Sequence, residues 1–147
     1  MEFRRTVSIA RPVTAVFAFM KDFENHPQEK GSKVLLVDKI TPDRVNVGTR
    51  YREKVQMLPL LAVNMISEIK EFKPEVEITY LWQGGGMRGN LRISFVSHDK
   101  GTILTVHEWI DPRGLMKIFA PIIGAAFRQT WEERLQAIKE VLESGSR

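Results

Sequence analysis

Apolar and polar residues alternate through most of this chain, and the alternation gives way near the end to a long helical pattern. Between residues 3 and 9 the period is two, which predicts a first strand ending near Ala10. After Pro12, apolar residues recur at helical spacing, which predicts a short amphipathic helix. Residues 22–31 are polar and interrupted by Pro27, so we expect a second short helix or a turn there.

Six more segments have strand character, and short turn sequences separate them. The predicted strands are 33–41, 49–57, 62–72, 76–83, 89–97 and 102–111. Connections this short join antiparallel neighbours, so we expect one antiparallel sheet of about seven strands. No repeat or linker divides the chain, and its 147 residues suit a single domain, 1–147.

The last predicted element is a helix over residues 114–143, and its two halves differ. In the second half an apolar stripe faces one direction, at Phe127, Trp131, Leu135, Ile138 and Leu142. This half should pack on the sheet. The last helix is the only predicted element long enough to cover one face of the sheet, which predicts an α+β architecture.

The first half of this helix is apolar on more than one side. Between Arg113 and Arg128, Lys117 is the only charged residue. This excess is explained either by the wall or lid of a ligand pocket or by a deeply buried core helix. Pro121 lacks a backbone N–H, so we expect a kink or break near residues 117–121.

Composition excludes several classes of function. The sequence contains no cysteine, so disulfides and thiolate chemistry are absent, which fits a reducing cytoplasm. A net charge of +4 is too small and too scattered for a nucleic-acid surface. The longest apolar run, 115–127, falls short of the ~20 residues that cross a bilayer. We therefore expect a cytoplasmic protein with no nucleic-acid partner and no integral membrane segment.

Two motif matches are contradicted by their context. Gly84, Gly86 and Gly89 satisfy the dinucleotide pattern GxGxxG, but a strand follows them where a phosphate cradle needs a helix. His107 and Glu108 begin the zinc motif HExxH, whereas Asp111 occupies its last position. We expect a hairpin at the glycines, no metal and no cofactor.

Strand alternation predicts two inward carboxylates, Glu53 and Glu108, beside the aromatic side chains of Tyr80 and Trp82. Burial raises the pKa of a carboxyl group toward the range useful for acid/base catalysis, so both are catalytic candidates. The alternative is that each glutamate lies near a strand end, in water or paired with an arginine, the candidates being Arg50, Arg52 and Arg92.

Four segments, taken in order, resemble one known family. They are 7–12 with Val16, Phe17 and Asp22, then 47–51, then 71–74, and finally 111–114 leading into 131–143. Together they are similar to the polyketide cyclase/dehydrase-like branch of the START-like superfamily. The resemblance implies the helix-grip fold, a curved antiparallel sheet wrapped around the C-terminal helix with a hydrophobic cavity between them. The chain departs from many relatives after Pro27, where Gln28 stands in place of a tryptophan.

This resemblance and the residue pattern predict binding of a hydrophobic or amphipathic small molecule, by a carrier or sensor. A cyclase or dehydratase that uses an inward carboxylate is the alternative, and an interaction module, including a homodimer through the apolar helix face, is the third. The predicted ligand-binding residues are Tyr51, Glu53, Ser67, Ile78, Tyr80, Trp82, Leu91, Ile93, Leu104, Val106, Glu108, Ile118, Phe119, Ile122 and Ile123.

Overall fold

A computed structural model describes residues 1–25 and 34–145 of the chain. The strands are β1 Glu2–Ile9, β2 Val34–Lys39, β3 Arg50–Leu58, β4 Leu61–Lys73, β5 Glu77–Gly84, β6 Met87–His98 and β7 Gly101–Pro112. The α-helices are α1 Val13–Lys21 and α2 Ala120–Ser144, and two 3₁₀ segments span Phe23–Asn25 and Gly114–Phe119. None of the helices in these described ranges is long and apolar enough to cross a membrane.

The strands form one antiparallel sheet in the order β1-β7-β6-β5-β4-β3-β2. Every connection from β2 to β7 joins neighbours, whereas β1 lies at the far edge beside β7 and places Phe3 opposite Glu108. Register shifts after Gln56 in β3 and after Ile69 in β4 interrupt the ladders, and irregularities of this kind bend strands. The curved sheet wraps around α2, as the helix-grip prediction required.

The strand predictions agree with the structure to within two residues at each end, apart from position 33, which lies outside the described residues. The hairpin prediction for the glycines is also confirmed. Gly84, Gly85 and Gly86 turn the chain from β5 into β6 with φ values of 157, 60 and 77°. These angles suit glycine because it has no Cβ.

The core lies between the inward face of the sheet and α2. All five stripe residues predicted for the second half of the helix are buried: Phe127, Trp131, Leu135, Ile138 and Leu142. On the sheet, Glu53 and Glu108 are buried, as are Tyr80 and Trp82. Burial of each large apolar side chain contributes roughly 1.5–3 kcal/mol, so this interface holds the helix on the sheet.

The prediction of one helix from residue 114 is wrong. Residues Gly114–Phe119 form a 3₁₀ segment, and α2 begins only at Ala120. Pro121 therefore lies in the first turn of α2, where a missing N–H costs no helical hydrogen bond. The break expected near 117–121 is present, at the junction of the two segments.

The pocket-wall prediction for the start of this region is also wrong for three residues. Ile118, Phe119 and Ile122 are 73%, 48% and 54% exposed, whereas Ile123 is buried. Ile118 and Phe119 belong to the 3₁₀ segment, which has three residues per turn, so their side chains do not continue the stripe of α2. Ile122 lies in α2 itself, one position before Ile123 and therefore off the buried stripe. Of the predicted short helix at 22–31, the described part holds a 3₁₀ turn, and the remainder, with the departure after Pro27, lies outside the described residues.

Candidate functional site

A pocket lies between the inward face of the sheet and the middle of α2. It is lined by Phe23, Glu53, Val55, Met65, Ser67, Tyr80, Trp82, Leu91, Glu108, Phe127, Thr130, Trp131 and Arg134. The centre of a water molecule can reach about 40 Å³ of it. This is room for a few waters at most, against roughly 300–1,000 Å³ for typical ligand pockets. The pocket is therefore too small for a typical ligand in this conformation.

Glu108, on β7, is held between two tryptophans. Its Oε2 accepts a hydrogen bond from Trp82 Nε1 at 2.9 Å, and its Oε1 accepts one from Trp131 Nε1 at 3.1 Å. Burial raises the pKa of Glu108 to about 8, and the charge of Glu53 adds to this, while the two indole N–H groups oppose it. Glu108 is therefore mostly protonated at neutral pH.

Glu53, on β3, is the second buried carboxyl group. Ser67 Oγ on β4 donates a hydrogen bond to its Oε2 at 3.2 Å, and Arg134 Nη1 lies 3.9 Å from its Oε1. Burial raises the pKa of Glu53, and Arg134 and Ser67 lower it. The two glutamates thus have different partners, two indoles for one and a cation with a hydroxyl for the other.

Arg134 brings the positive charge into this site from α2. Its guanidinium lies over the rings of Trp131 and Phe23, at 4.2 and 5.1 Å from their centroids. Burial lowers the pKa of Arg134, and the charges of Glu53 and Glu108 oppose this effect. The aromatic faces stabilise a cation that has lost most of its water.

Tyr80, on β5, has a buried hydroxyl for which the described residues offer no hydrogen-bond partner. Its ring packs against Phe23 and Tyr51, with centroids 5.4 and 6.4 Å away. Tyr51 differs because its hydroxyl donates to the carbonyl oxygen of Lys21 at 3.4 Å. Burial raises the pKa of Tyr51 to about 12 and that of Tyr80 well above its ordinary value. The pocket therefore contains the neutral phenol of Tyr80, whose hydroxyl is available to form a hydrogen bond with a bound ligand.

The structure brings six of the predicted residues to the pocket: Glu53, Ser67, Tyr80, Trp82, Leu91 and Glu108. Six others are buried in the surrounding core without lining it: Tyr51, Ile78, Ile93, Leu104, Val106 and Ile123. The alternative for the glutamates is wrong. Both are buried, and within the described ranges neither is paired with a strand arginine, since Arg50 contacts Glu68 and Arg92 contacts Glu77.

Sequence reasoning missed the contribution of α2. Thr130 and Arg134 line the pocket beside Phe127 and Trp131, yet neither was a candidate. The signal was present, because positions 127, 130, 131 and 134 share one face of an α-helix. An arginine inside an apolar stripe indicates a buried partner of opposite charge.

With this geometry in view, sequence comparison identifies the family. A sequence profile described as polyketide cyclase / dehydrase and lipid transport matches residues 1–143. The chain belongs to this family. A comparison with curated proteins gives no significant match. The family membership agrees with a pocket between sheet and helix, and it leaves the chemistry of the glutamates open.

Solved structures of other proteins show the same fold. A protein from Thermus thermophilus aligns over 100% of both chains with a TM-score of 0.83 and 16% identity. The Zhui aromatase/cyclase from Streptomyces sp. R1128 aligns over 100% of this chain and 96% of its own, with a TM-score of 0.79 and 14% identity. A START superfamily protein from Mycobacterium smegmatis aligns over 96% and 98%, with a TM-score of 0.73 and 17% identity. At these identities the likeness concerns the fold.

Proposed function

We propose that this protein binds a hydrophobic or amphipathic small molecule in the pocket between the sheet and α2, as a carrier or sensor. The observation that carries the proposal is a polar cluster, Glu53, Glu108 and Arg134, buried inside an otherwise largely apolar wall. Burial of ionisable groups costs free energy, and apolar side chains at the same positions would not carry this cost. A few convergent polar groups in an apolar pocket are what orients a ligand.

Binding of a ligand requires the wall to move, because the pocket is too small to hold one. The most suitable place is the stacked pair of Trp82 and Phe127, whose ring centroids are 5.4 Å apart at an interplanar angle of 18°. A planar guest that displaced Phe127 would replace one aromatic stacking contact with another. The family description, which includes polyketide cyclases and lipid transport, supports an aromatic, polyketide-like or lipid-like ligand.

The three tryptophans of the chain offer a direct binding assay. Trp82 and Trp131 line the pocket, whereas Trp109 lies outside it and stacks on His107. In a Trp109→Phe variant both remaining indoles report on the pocket. A saturable change of fluorescence with a member of a lipid and aromatic library is the expected result. No response from any member, with no co-purified ligand in native mass spectrometry, would contradict the proposal.

An enzymatic role is the second candidate, and the protonated state of Glu108 favours it. At neutral pH its raised pKa, about 8, lets it donate a proton to a leaving hydroxyl group, which departs as water. Glu53, in the ionised form that its pairing with Arg134 favours, would accept the proton removed from the adjacent carbon. Glu108→Gln should then abolish dehydration or cyclisation while ligand binding persists. Unchanged turnover in Glu108→Gln and in Glu53→Gln would remove this mechanism.

Two wider expectations remain predictions. The pairing of β1 with β7 joins the start of the chain to the end of the sheet, which supports a single domain over residues 1–147. The cysteine-free composition supports a cytoplasmic location.

A further inference from the structure

The turn between β3 and β4 consists of apolar residues. The two turn residues are Pro59 and Leu60, and Leu60 stands where two-residue hairpin turns normally carry glycine, asparagine or aspartate. Pro59 is exposed, and Leu60 is 101% exposed. Leu60 buries no apolar surface within the described part of the chain and is accessible to another molecule.

A second exposed apolar surface lies in the 3₁₀ segment and the first turn of α2. Leu115 and Ile118 are 78% and 73% exposed, and Phe119 and Ile122 are also exposed. None of them contributes to the buried core, which begins at Ile123 in this helix.

Both surfaces lie at the same end of the sheet. In antiparallel order, the β3–β4 turn, the β5–β6 turn and the end of β7 meet at one end of the strands. The β5–β6 turn contacts both neighbours, since a Cβ on Gly85 would meet Val63 and a Cβ on Gly86 would meet Met116. Arg113 N also donates to the carbonyl oxygen of Gly86 at 2.9 Å. We call this end, with Pro59, Leu60, Leu115, Ile118, Phe119 and Ile122, the apolar tip.

The charge around the apolar tip is positive. Between Asp111 and Glu132 the only charged residues are Arg113, Lys117 and Arg128. On the outer face of the sheet, Arg52, Arg88 and Arg113 line a groove of about 830 Å³. Asp111 is the carboxylate that Arg88 and Arg113 share, at 3.1 and 3.2 Å. Glu2, opposite Trp109 at the start of β1, is a second carboxylate at this end, and Arg52, Arg88, Arg113 and Lys117 outnumber the two.

We propose that the apolar tip docks on a membrane surface that contains anionic lipid. The exposed leucines and isoleucines would enter the interfacial region while Arg52, Arg113 and Lys117 contact lipid phosphates. Side chains that project separately from a turn and from a helix start suit a fluid interface, which needs no matching pockets. The charge complementarity favours an anionic bilayer over a second copy of this chain, whose own tip is equally basic. The inference is independent of the pocket's ligand.

Sedimentation with vesicles tests this docking on the full-length protein. Vesicles of phosphatidylcholine alone are compared with vesicles that contain phosphatidylglycerol. We expect the affinity for the anionic vesicles to be at least tenfold higher and to fall with added salt. Leu60→Ser with Ile118→Ser should weaken this binding at least tenfold, as should Arg52→Gln with Arg113→Gln.

Val76→Ser is the matched control, because Val76 is 55% exposed in the β4–β5 turn, at the other end of the sheet. It should bind anionic vesicles like the wild type. The proposal is overturned if the wild type ignores anionic vesicles, if both compositions bind equally, or if Val76→Ser loses as much binding as the tip variants. A dimer that Leu60→Ser with Ile118→Ser dissociates, without vesicle binding, would identify a second copy as the occupant and overturn it too.

Discussion

Trp131 on α2 donates its indole N–H to Glu108 on β7, across the pocket, with 3.1 Å between Nε1 and Oε1. The buried carboxyl group of Glu108 thereby links α2 to β7 by a hydrogen bond. Trp82, on β5, donates a hydrogen bond to the other carboxyl oxygen of Glu108. The pocket is a hydrogen-bonded assembly of three elements, and its protonation state should affect both stability and binding.

The first prediction concerns the pH dependence of stability. The pKa of Glu108 is raised from 4.5 to about 8 in the folded state. Between these values the folded state holds a proton that the unfolded state releases. The contribution of Glu108 is therefore greatest below pH 4.5 and is lost as pH rises through 8, by about 1.4 kcal/mol per unit. Glu108→Gln should flatten this slope in urea unfolding between pH 5 and 9. Parallel profiles for the variant and the wild type would contradict the shift.

The tryptophan donors give a second prediction. Trp131→Phe removes an N–H that bonds to Glu108, and we expect a cost of about 1–3 kcal/mol. The cost should be larger at pH 9 than at pH 6, because the ionised carboxylate accepts the stronger hydrogen bond. Trp109→Phe, outside the pocket, provides the control. A cost that does not change with pH would mean that only packing was lost.

Arg134 and Glu53 should be energetically coupled. Arg134→Met leaves Glu53 buried without its cation, which destabilises by up to about 3–5 kcal/mol, less to the extent that Glu53 takes up a proton. Adding Glu53→Gln should recover much of this loss. A double-mutant cycle measures the coupling, with Arg128→Met on the same helix as control. Additive losses would show that the 3.9 Å pair contributes nothing.

Tyr80 and Tyr51 should respond differently to loss of their hydroxyl groups. Tyr80→Phe removes a hydroxyl without a partner among the described residues, so stability should stay within about 1 kcal/mol or rise. Tyr51→Phe removes the bond to the Lys21 carbonyl and should be the more destabilising change. Chemical unfolding of the two variants decides the order. A larger loss for Tyr80→Phe would indicate a bound water or guest at that hydroxyl.

The features that could be predicted from the sequence are those determined by the local periodicity of apolar residues, which is two in a strand and 3.6 in an α-helix. Alternation along β7 places Glu108 inward because successive strand residues face opposite sides. The identity of its partners was not predictable in this way, since Trp82 and Trp131 come from elements distant in sequence. Local pattern also could not distinguish the 3₁₀ segment from the start of α2, because residues 115–127 are almost all apolar. The exposure of Ile118 follows from that 3₁₀ geometry and from where the segment lies in the fold.

Filling the pocket tests the central claim, that this space is where the ligand binds. Thr130 is 8% exposed and lines the pocket, whereas its neighbour Gln129 faces solvent on the same helix. Calorimetric titration with a ligand found in the fluorescence assay compares Thr130→Trp with Gln129→Trp. We predict that Thr130→Trp weakens binding at least tenfold in a folded protein and that Gln129→Trp binds like the wild type. Wild-type affinity in a folded Thr130→Trp protein would contradict binding between the sheet and α2.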